Sequence, residues 1–319
     1  MDSKKENYIH NVNNESSLFV SEPQYSWGGQ WTEDKLDVFE KFAKAYLVIM
    51  NKYRDPSGWK LIYFDGFAGS GSRQEKNKSE LEQTLFEYDY FLERDDFSYK
   101  GAAERVLNIE GRGFDYYYFV EKNAESCRKL QEKLGELPHE GELIFRINDA
   151  NNEIQRLATK MRNNHNLAAL ALLDPFGMQI DWDSINKLKG LRIDLWILVP
   201  TGIIINRLLD RKGKLQHIEK LTTFFGEPEK SIRSYFFKTH RQTTLFEEVE
   251  VVEKVNNSIS RIAELYLEKL GKVFSEVISK PLVLYNTRKI PIFHFIFASN
   301  NKTATKIASD IIRKKIIKG

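Results

Sequence analysis

The chain has 319 residues, room for one large domain or two small ones, and its 41% hydrophobic and 29% charged residues suit a folded globular protein and exclude a disordered one. No apolar run approaches the roughly 18 residues of a membrane span, and MDSKKENYIHNVNNESS lacks the apolar core of a signal peptide, so a cytoplasmic protein is expected. The single cysteine, Cys127, excludes an internal disulfide, and no Cys/His cluster has zinc spacing, so no structural metal is expected.

The net charge of +3 conceals an asymmetry, because residues 201–319 hold 22 Lys+Arg against 12 Asp+Glu, net +10, while residues 1–200 hold 26 against 33, net −7. A basic bias of this kind marks either a nucleic-acid face or a Lys-rich solvated helical surface.

Residues 1–25 are polar and read as a flexible segment ahead of one domain over 26–319. From Thr32, Leu36, Phe39, Phe42, Ala43, Leu47 and Met50 recur near helical spacing, and DPSG at 55–58 reads as a turn. An alternation of strands and helices follows. LIYFDGFAG is a strand, 72–100 is polar and irregular, and GAAERVLNIE is helical. DYYYFVEKN is a strand followed by the helical AESCRKLQEKLGEL, and LIFRINDAN is a strand followed by NEIQRLATKMRNNH. LAALALLDPFG is a strand, WDSINKLKG a short helix and IDLWILVPTG a fifth strand. Near-continuous apolar strands separated by helical crossovers predict a parallel, doubly wound α/β sheet with helices on both faces. A helical insertion is expected at about 203–245, and residues 244–274 read as mostly helical. PLVLYNTRKIPIFHFIFASN reads as a hairpin joined near Asn286 to Lys289, before a final helix.

Ligands of open α/β sheets sit beyond the carboxyl ends of the strands. Those ends read DGFAGSG, VEKN, NDAN and LDPFG, and each presents an acid: Asp65, Glu121, Asp149 and Asp174. The first loop is not a P-loop, because the lysine and hydroxyl pair is absent. As a dinucleotide fingerprint it meets Gln74 at the third glycine, and Glu121 comes later than the roughly 20 residues expected, a delay that an insertion over Ser72 to Gly113 would explain. Asp149 and Asp174 could each serve as a helix N-cap without any ligand. Four successive strand ends with this order of polar groups favour a nucleotide-sized ligand.

The loop at Asp65, Gly66, Phe67, Ala68, Gly69 and Gly71 resembles the D-x-F-A-G-x-G adenosylmethionine loop of class I methyltransferases. That resemblance implies that the glycines admit the cofactor's amino-acid part and that Asp65 meets its ammonium. It further implies that Glu121, with Lys122 beside it, accepts from the ribose hydroxyls, and that Asn148, Asp149 and Ala150 border the adenine. LLDPFG resembles the D-P-P-[YF] motif of amino-group methyltransferases, with Phe176 directly after Pro175 where the motif has a second proline. In that motif the acid and a backbone carbonyl orient an exocyclic amine while the aromatic ring stacks on its base. A proline-initiated turn with a core phenylalanine is the plainer reading.

Beyond these loops, W-T-x-x-K-L at Trp31 to Leu36, DGFAGSG, FVEKN, LLDPFG, DLWILVP at Asp194 and FHFIFASN at Phe293 together resemble the three-Cys-motif partner (TcmP) family, from about Trp31 to the last helix. The resemblance implies a methyltransferase-like fold, a prokaryotic or phage context, and a partner with a three-cysteine motif similar to radical-adenosylmethionine enzymes.

The expected activity is adenosylmethionine-dependent methylation of an amino group on a nucleic-acid base, with Asp174, Pro175 and Phe176 at the acceptor and DNA or RNA as partner. The alternatives are a non-catalytic partner of the three-Cys-motif protein and a metal-dependent nuclease. His294, within an apolar strand, reads as a core histidine, and RKK at 313–315 as a solvated helix face.

Overall fold

The computed structural model describes residues 30–71, 100–210, 213, 215, 217–243, 248–286 and 288–318. The expected flexible segment over 1–25 and the polar stretch at 72–99 lie outside them.

The first helix, α1 (Gln30–Ser57), buries Leu36, Phe39, Phe42, Ala43 and Leu47 along one stripe, as their spacing requires. It runs through Asp55, Pro56 and Ser57 and ends where Gly58 takes φ +63°, so the turn expected over DPSG is confined to its last residue. The strands and crossovers then follow in order: β1 (Lys60–Asp65), α2 (Ala102–Leu107), β2 (Tyr116–Glu121), α3 (Ala124–Gly135), β3 (Glu142–Ile147), α4 (Ala150–Asn163), β4 (Leu167–Leu173), α5 (Trp182–Asn186) and β5 (Ile193–Val199).

A π-helical turn over Thr201–Ile205 opens the insertion, which carries α6 (Ile218–Phe225) and α7 (Glu229–Phe236). Two strands then correct the helical expectation for this region: β6 (Phe237–Thr243) pairs antiparallel with β7 (Glu248–Lys254), and helix resumes only at α8 (Ser258–Leu270). At period two Glu248, Glu250 and Val252 share one face of β7, along which the two glutamates are exposed and Val252 packs partly buried against the core. After β8 (Glu276–Val277) come β9 (Leu282–Tyr285) and β10 (Pro291–Ser299), the expected hairpin, and then the final helix, α9 (Lys302–Lys318).

The main sheet has the order β3-β2-β1-β4-β5-β10-β8, with β9 also on β10. β1 to β5 are parallel, and β10 alone is antiparallel to β5. The order steps outward in both directions from the β1/β4 boundary, which places a ligand crevice there. Phe42 packs on Trp196 and Phe297 at centroid distances of 5.5 and 4.7 Å, and Trp196 stacks on Phe295 at 4.6 Å, so α1 is welded to the β5/β10 half of the sheet. Burying aromatic side chains of this size contributes roughly 2 to 3 kcal/mol each. Lys315 on α9 pairs with Asp34 and Asp37 at 2.9 and 3.1 Å, so this member of the RKK run ties α9 to α1 instead of facing solvent freely.

Candidate functional site

Register aligns the polar strand ends. Asp65 stands opposite Phe119 in β2 and Leu172 in β4, so Glu121 and Asp174 each lie two residues further along, at the same edge, and Glu121 stands opposite Ile147, just before Asn148. The loop between them is pinned from both sides, as Gly66 N–H donates to Leu172 O (3.0 Å) and Ala68 N–H to Val120 O (2.9 Å).

Gly69 and Gly71 take φ +65° and +67°, the left-handed region that glycine enters without Cβ cost. A Cβ on Gly69 would meet no atom of the described residues within 4 Å; one on Gly71 would stand 2.9 Å from Leu130 Cδ1. The conformation is demanded at both, and of the two only Gly69 leaves room for a Cβ among the described residues.

The Asp65 carboxylate points inward. It is 2% exposed, with Oδ1 accepting from Phe67 N–H and Oδ2 from the Tyr63 hydroxyl, both at 3.1 Å. Burial, together with the charge of Asp174, lifts its pKa to about 7, against the pull of these hydrogen bonds and of Lys35. It therefore holds the loop from within. Glu121, buried at the end of β2, accepts from Asn123 N–H at 2.8 Å through Oε1, and Asn123 in turn caps α3 by accepting from Ser126 N–H. Lys122 is 81% exposed and reaches Asp149 at 3.5 Å.

Asp149 is the N-cap of α4, accepting from Asn151 N–H at 2.9 Å. Asn148 donates to Glu153 Oε1 at 2.7 Å and accepts from Asp149 N–H at 2.8 Å, so its amide is engaged within the protein. Glu153, only 1% exposed, also accepts from the Tyr118 hydroxyl. This buried carboxylate beneath the third strand end had no sequence signal beyond its place on the inward stripe of α4. The third strand end is thus tied into the fold, with Ala150 buried and Ile147 61% exposed.

At the fourth strand end the structure adds a residue that motif reading passed over. Lys35 of α1 is buried and places Nζ 2.5 Å from Asp174 Oδ2, with side-chain exposures of 5% and 25%. The same Nζ lies 5.5 Å from the Trp31 ring centroid, and Trp31 stacks on Phe293 at 5.2 Å. W-T-x-x-K-L therefore supplies an aromatic and a cation to the crevice. Phe176 is 60% exposed, which removes it from the core, while Pro175 is buried. The carboxylate, the exposed ring and the turn after β5 share one edge.

His294 is a core residue: its Nδ1 lies 2.8 Å from Thr201 Oγ1, and burial lowers its pKa to about 4. The cavity lined by Arg54, Arg112, Gly113, Asp115 and Glu140 opens at the opposite edge and holds the Arg54–Asp115 ion pair (2.5 Å). No helix among the described residues is long and apolar enough to cross a membrane.

Away from the crevice, Asp194 accepts from Ser299 Oγ at 2.5 Å, and burial lifts its pKa to about 7. The folded protein then binds a proton that the unfolded chain releases near pH 4, so this carboxyl's contribution to stability is present below about pH 4 and is lost as pH rises toward 7. Asp194→Asn is expected to gain stability relative to wild type across that range, by an amount on the order of a few kcal/mol. Urea unfolding at pH 5 and pH 8 measures the difference; an equal effect at both pH values would contradict it.

No protein-family model matches the chain, and no curated protein matches it. Solved structures similar to it include a Legionella pneumophila protein described by the family model DUF519 (14% identity, 84% of this chain and 97% of that chain, TM-score 0.36), and an S-adenosylmethionine-dependent methyltransferase of Clostridium acetobutylicum (11% identity, 84% and 92%, TM-score 0.32). By its own strand order, with five parallel strands and an antiparallel β10 inserted beside β5, the chain has a Rossmann-like, methyltransferase-like fold.

Proposed function

We propose that this protein is an adenosylmethionine-dependent methyltransferase acting on an amino group of a nucleic-acid base. The observation that carries the reading is the meeting, at one sheet edge, of the left-handed glycine loop at Gly69, over which no described residue stands within 4 Å, the buried Glu121 and the Lys35–Asp174 pair with the exposed Phe176. The glycine loop would admit the amino-acid part of the cofactor, Glu121 the ribose, and the strand end at Asn148, Asp149 and Ala150 the adenine. Both Asp65 oxygens already accept one bond each from this chain, so Asp65 shapes the loop, and an ammonium contact would use a remaining lone pair.

When bound, the cofactor would supply an electrophilic methyl group. Asp174 would use Oδ1 to accept from the acceptor amine while Lys35 holds Oδ2, and it would take up the proton that the nitrogen sheds as the new bond forms. Phe176 would stack on the acceptor base. The experiment is direct: purified protein, labelled adenosylmethionine and cellular DNA or RNA should yield labelled nucleic acid. No transfer to either polymer, with cofactor bound, would reject the acceptor class.

Glu121→Gln keeps the bond from Asn123 N–H but removes the charge that ribose hydroxyls would meet. It is expected to weaken cofactor binding by about 1.5 to 3 kcal/mol. Calorimetry of the folded variant measures this, and unchanged affinity would remove Glu121 from the site.

One observation favours a second reading. Lys35 already occupies one oxygen of Asp174, an arrangement suited to a quiescent site in a non-catalytic, methyltransferase-like partner of a three-Cys-motif protein. The nuclease alternative needs carboxylates that converge, and among the described residues no group of three His, Cys, Asp or Glu does so.

A further inference from the structure

The described residues include eight large hydrophobic side chains that stand well exposed, and six of them, Ile147, Phe176, Tyr285, Ile290, Ile316 and Ile317, lie at the carboxyl edge of the parallel strands. The turn between β9 and β10 carries two of the six and two cations. Tyr285 is 49% and Ile290 48% exposed, and Arg288 and Lys289 between them are exposed with no side-chain partner among the described residues.

The backbone makes Lys289 an unusual choice. It takes φ +57°, in a turn closed by Asn286, whose Oδ1 accepts from Arg288 N–H (3.0 Å) and Ile290 N–H (2.9 Å). Glycine is the residue that such a left-handed hairpin position favours. A lysine held there against its conformational preference does nothing for the fold, since its side chain touches solvent. The acids at the start of α1 already have cationic partners, Asp34 and Asp37 in Lys315 and Glu33 in Arg105.

The turn is also within reach of the crevice. Asp174 contacts Lys35, Lys35 lies 5.5 Å from the Trp31 ring, Trp31 stacks on Phe293 at 5.2 Å, and Phe293 is three residues beyond Ile290. At about 3.4 Å per strand residue the turn stands within about 25 Å of Asp174. A few nucleotides of single strand cover that span.

We infer that the β9–β10 turn grips a single-stranded nucleic acid, with Tyr285 stacking on a base and Arg288 and Lys289 on flanking phosphates, and leads the strand to Asp174. The two exposed cations of the turn, Arg288 and Lys289, give it the sign a polyanion needs, in the part of the chain that carries net +10. The inference rests on the nucleic-acid acceptor proposed above and adds where the polymer is held outside the crevice.

The test is fluorescence anisotropy with a labelled single-stranded oligonucleotide of about 12 nucleotides. Lys289→Gly should raise the melting temperature by a few degrees through relief of the backbone. The same change should weaken binding about tenfold at 0.1 M salt and lower the slope of log affinity against log salt by about one. Tyr285→Ala should weaken binding at least about fivefold and leave that slope unchanged. A Lys289→Gly protein that gains stability yet keeps both affinity and slope overturns the inference, as does wild-type protein that ignores the oligonucleotide at low salt. Calorimetry with adenosylmethionine on the same samples separates the two readings: loss of cofactor binding would sink the methyltransferase, while the oligonucleotide results would still judge the turn.

Discussion

Asp174→Ala is expected to lower methyl transfer by on the order of 10²-fold or more while cofactor affinity stays within about twofold. The asymmetry follows from position: Asp174 lies where the acceptor amine would stand, two residues past the strand position opposite Asp65, and not over the glycine loop. Its removal has a second consequence. Lys35, 5% exposed, would lose its partner, and an unpaired buried charge costs up to about 3 to 5 kcal/mol. The fold is therefore secured by two companions. Lys35→Met with Asp174→Ala removes both charges together, and Asp174→Asn keeps one oxygen, which can accept from Lys35 or from an amine. The double variant should fold and remain slow, and Asp174→Asn should retain a measurable part of the rate. Full turnover in the double variant would end the catalytic role, and parallel loss of cofactor affinity would move Asp174 into the cofactor site. The non-catalytic reading expects no transfer from wild type at all.

Gly69→Val should abolish detectable cofactor binding, a loss of 10²-fold or more for a ligand that must occupy the same volume. A Cβ there meets no atom of the described residues within 4 Å, so among them the substitution strains the backbone without a collision. The left-handed conformation costs roughly 1 to 2 kcal/mol in a residue with a Cβ. Gly71→Val is the contrast, since its Cβ would press on Leu130 and Lys133 and damage the loop whether or not a ligand binds. Thermal unfolding and calorimetry on both variants separate the cases. If Gly69→Val binds adenosylmethionine as wild type does, the space over the loop is not the cofactor's.

Much of this molecule is legible in one dimension. Apolar runs such as LAALALL and YYYFV could only be buried on both faces, and helical spacing between them required crossovers, so a parallel sheet followed from local pattern. The same logic placed Asp65, Glu121, Asp149 and Asp174 at strand ends, and hence at one edge. It failed for β6 and β7, because short strands with mixed charge resemble amphipathic helix until a partner strand is known. Contacts across long sequence separations were closed to it entirely. Lys35 reaches Asp174 across 139 residues, and Tyr118 and Asn148 converge on Glu153 through packing of α4 on the sheet. The sequence by itself determined which residues stand at the ligand edge, because strand periodicity and the direction of parallel strands are local properties. Only the tertiary structure decided what those residues face: that Asp65 turns inward, that Asn148 is tied to Glu153, and that a cation sits on Asp174. Those outcomes depend on which buried polar groups must satisfy one another, and that pairing exists only once the layers are packed.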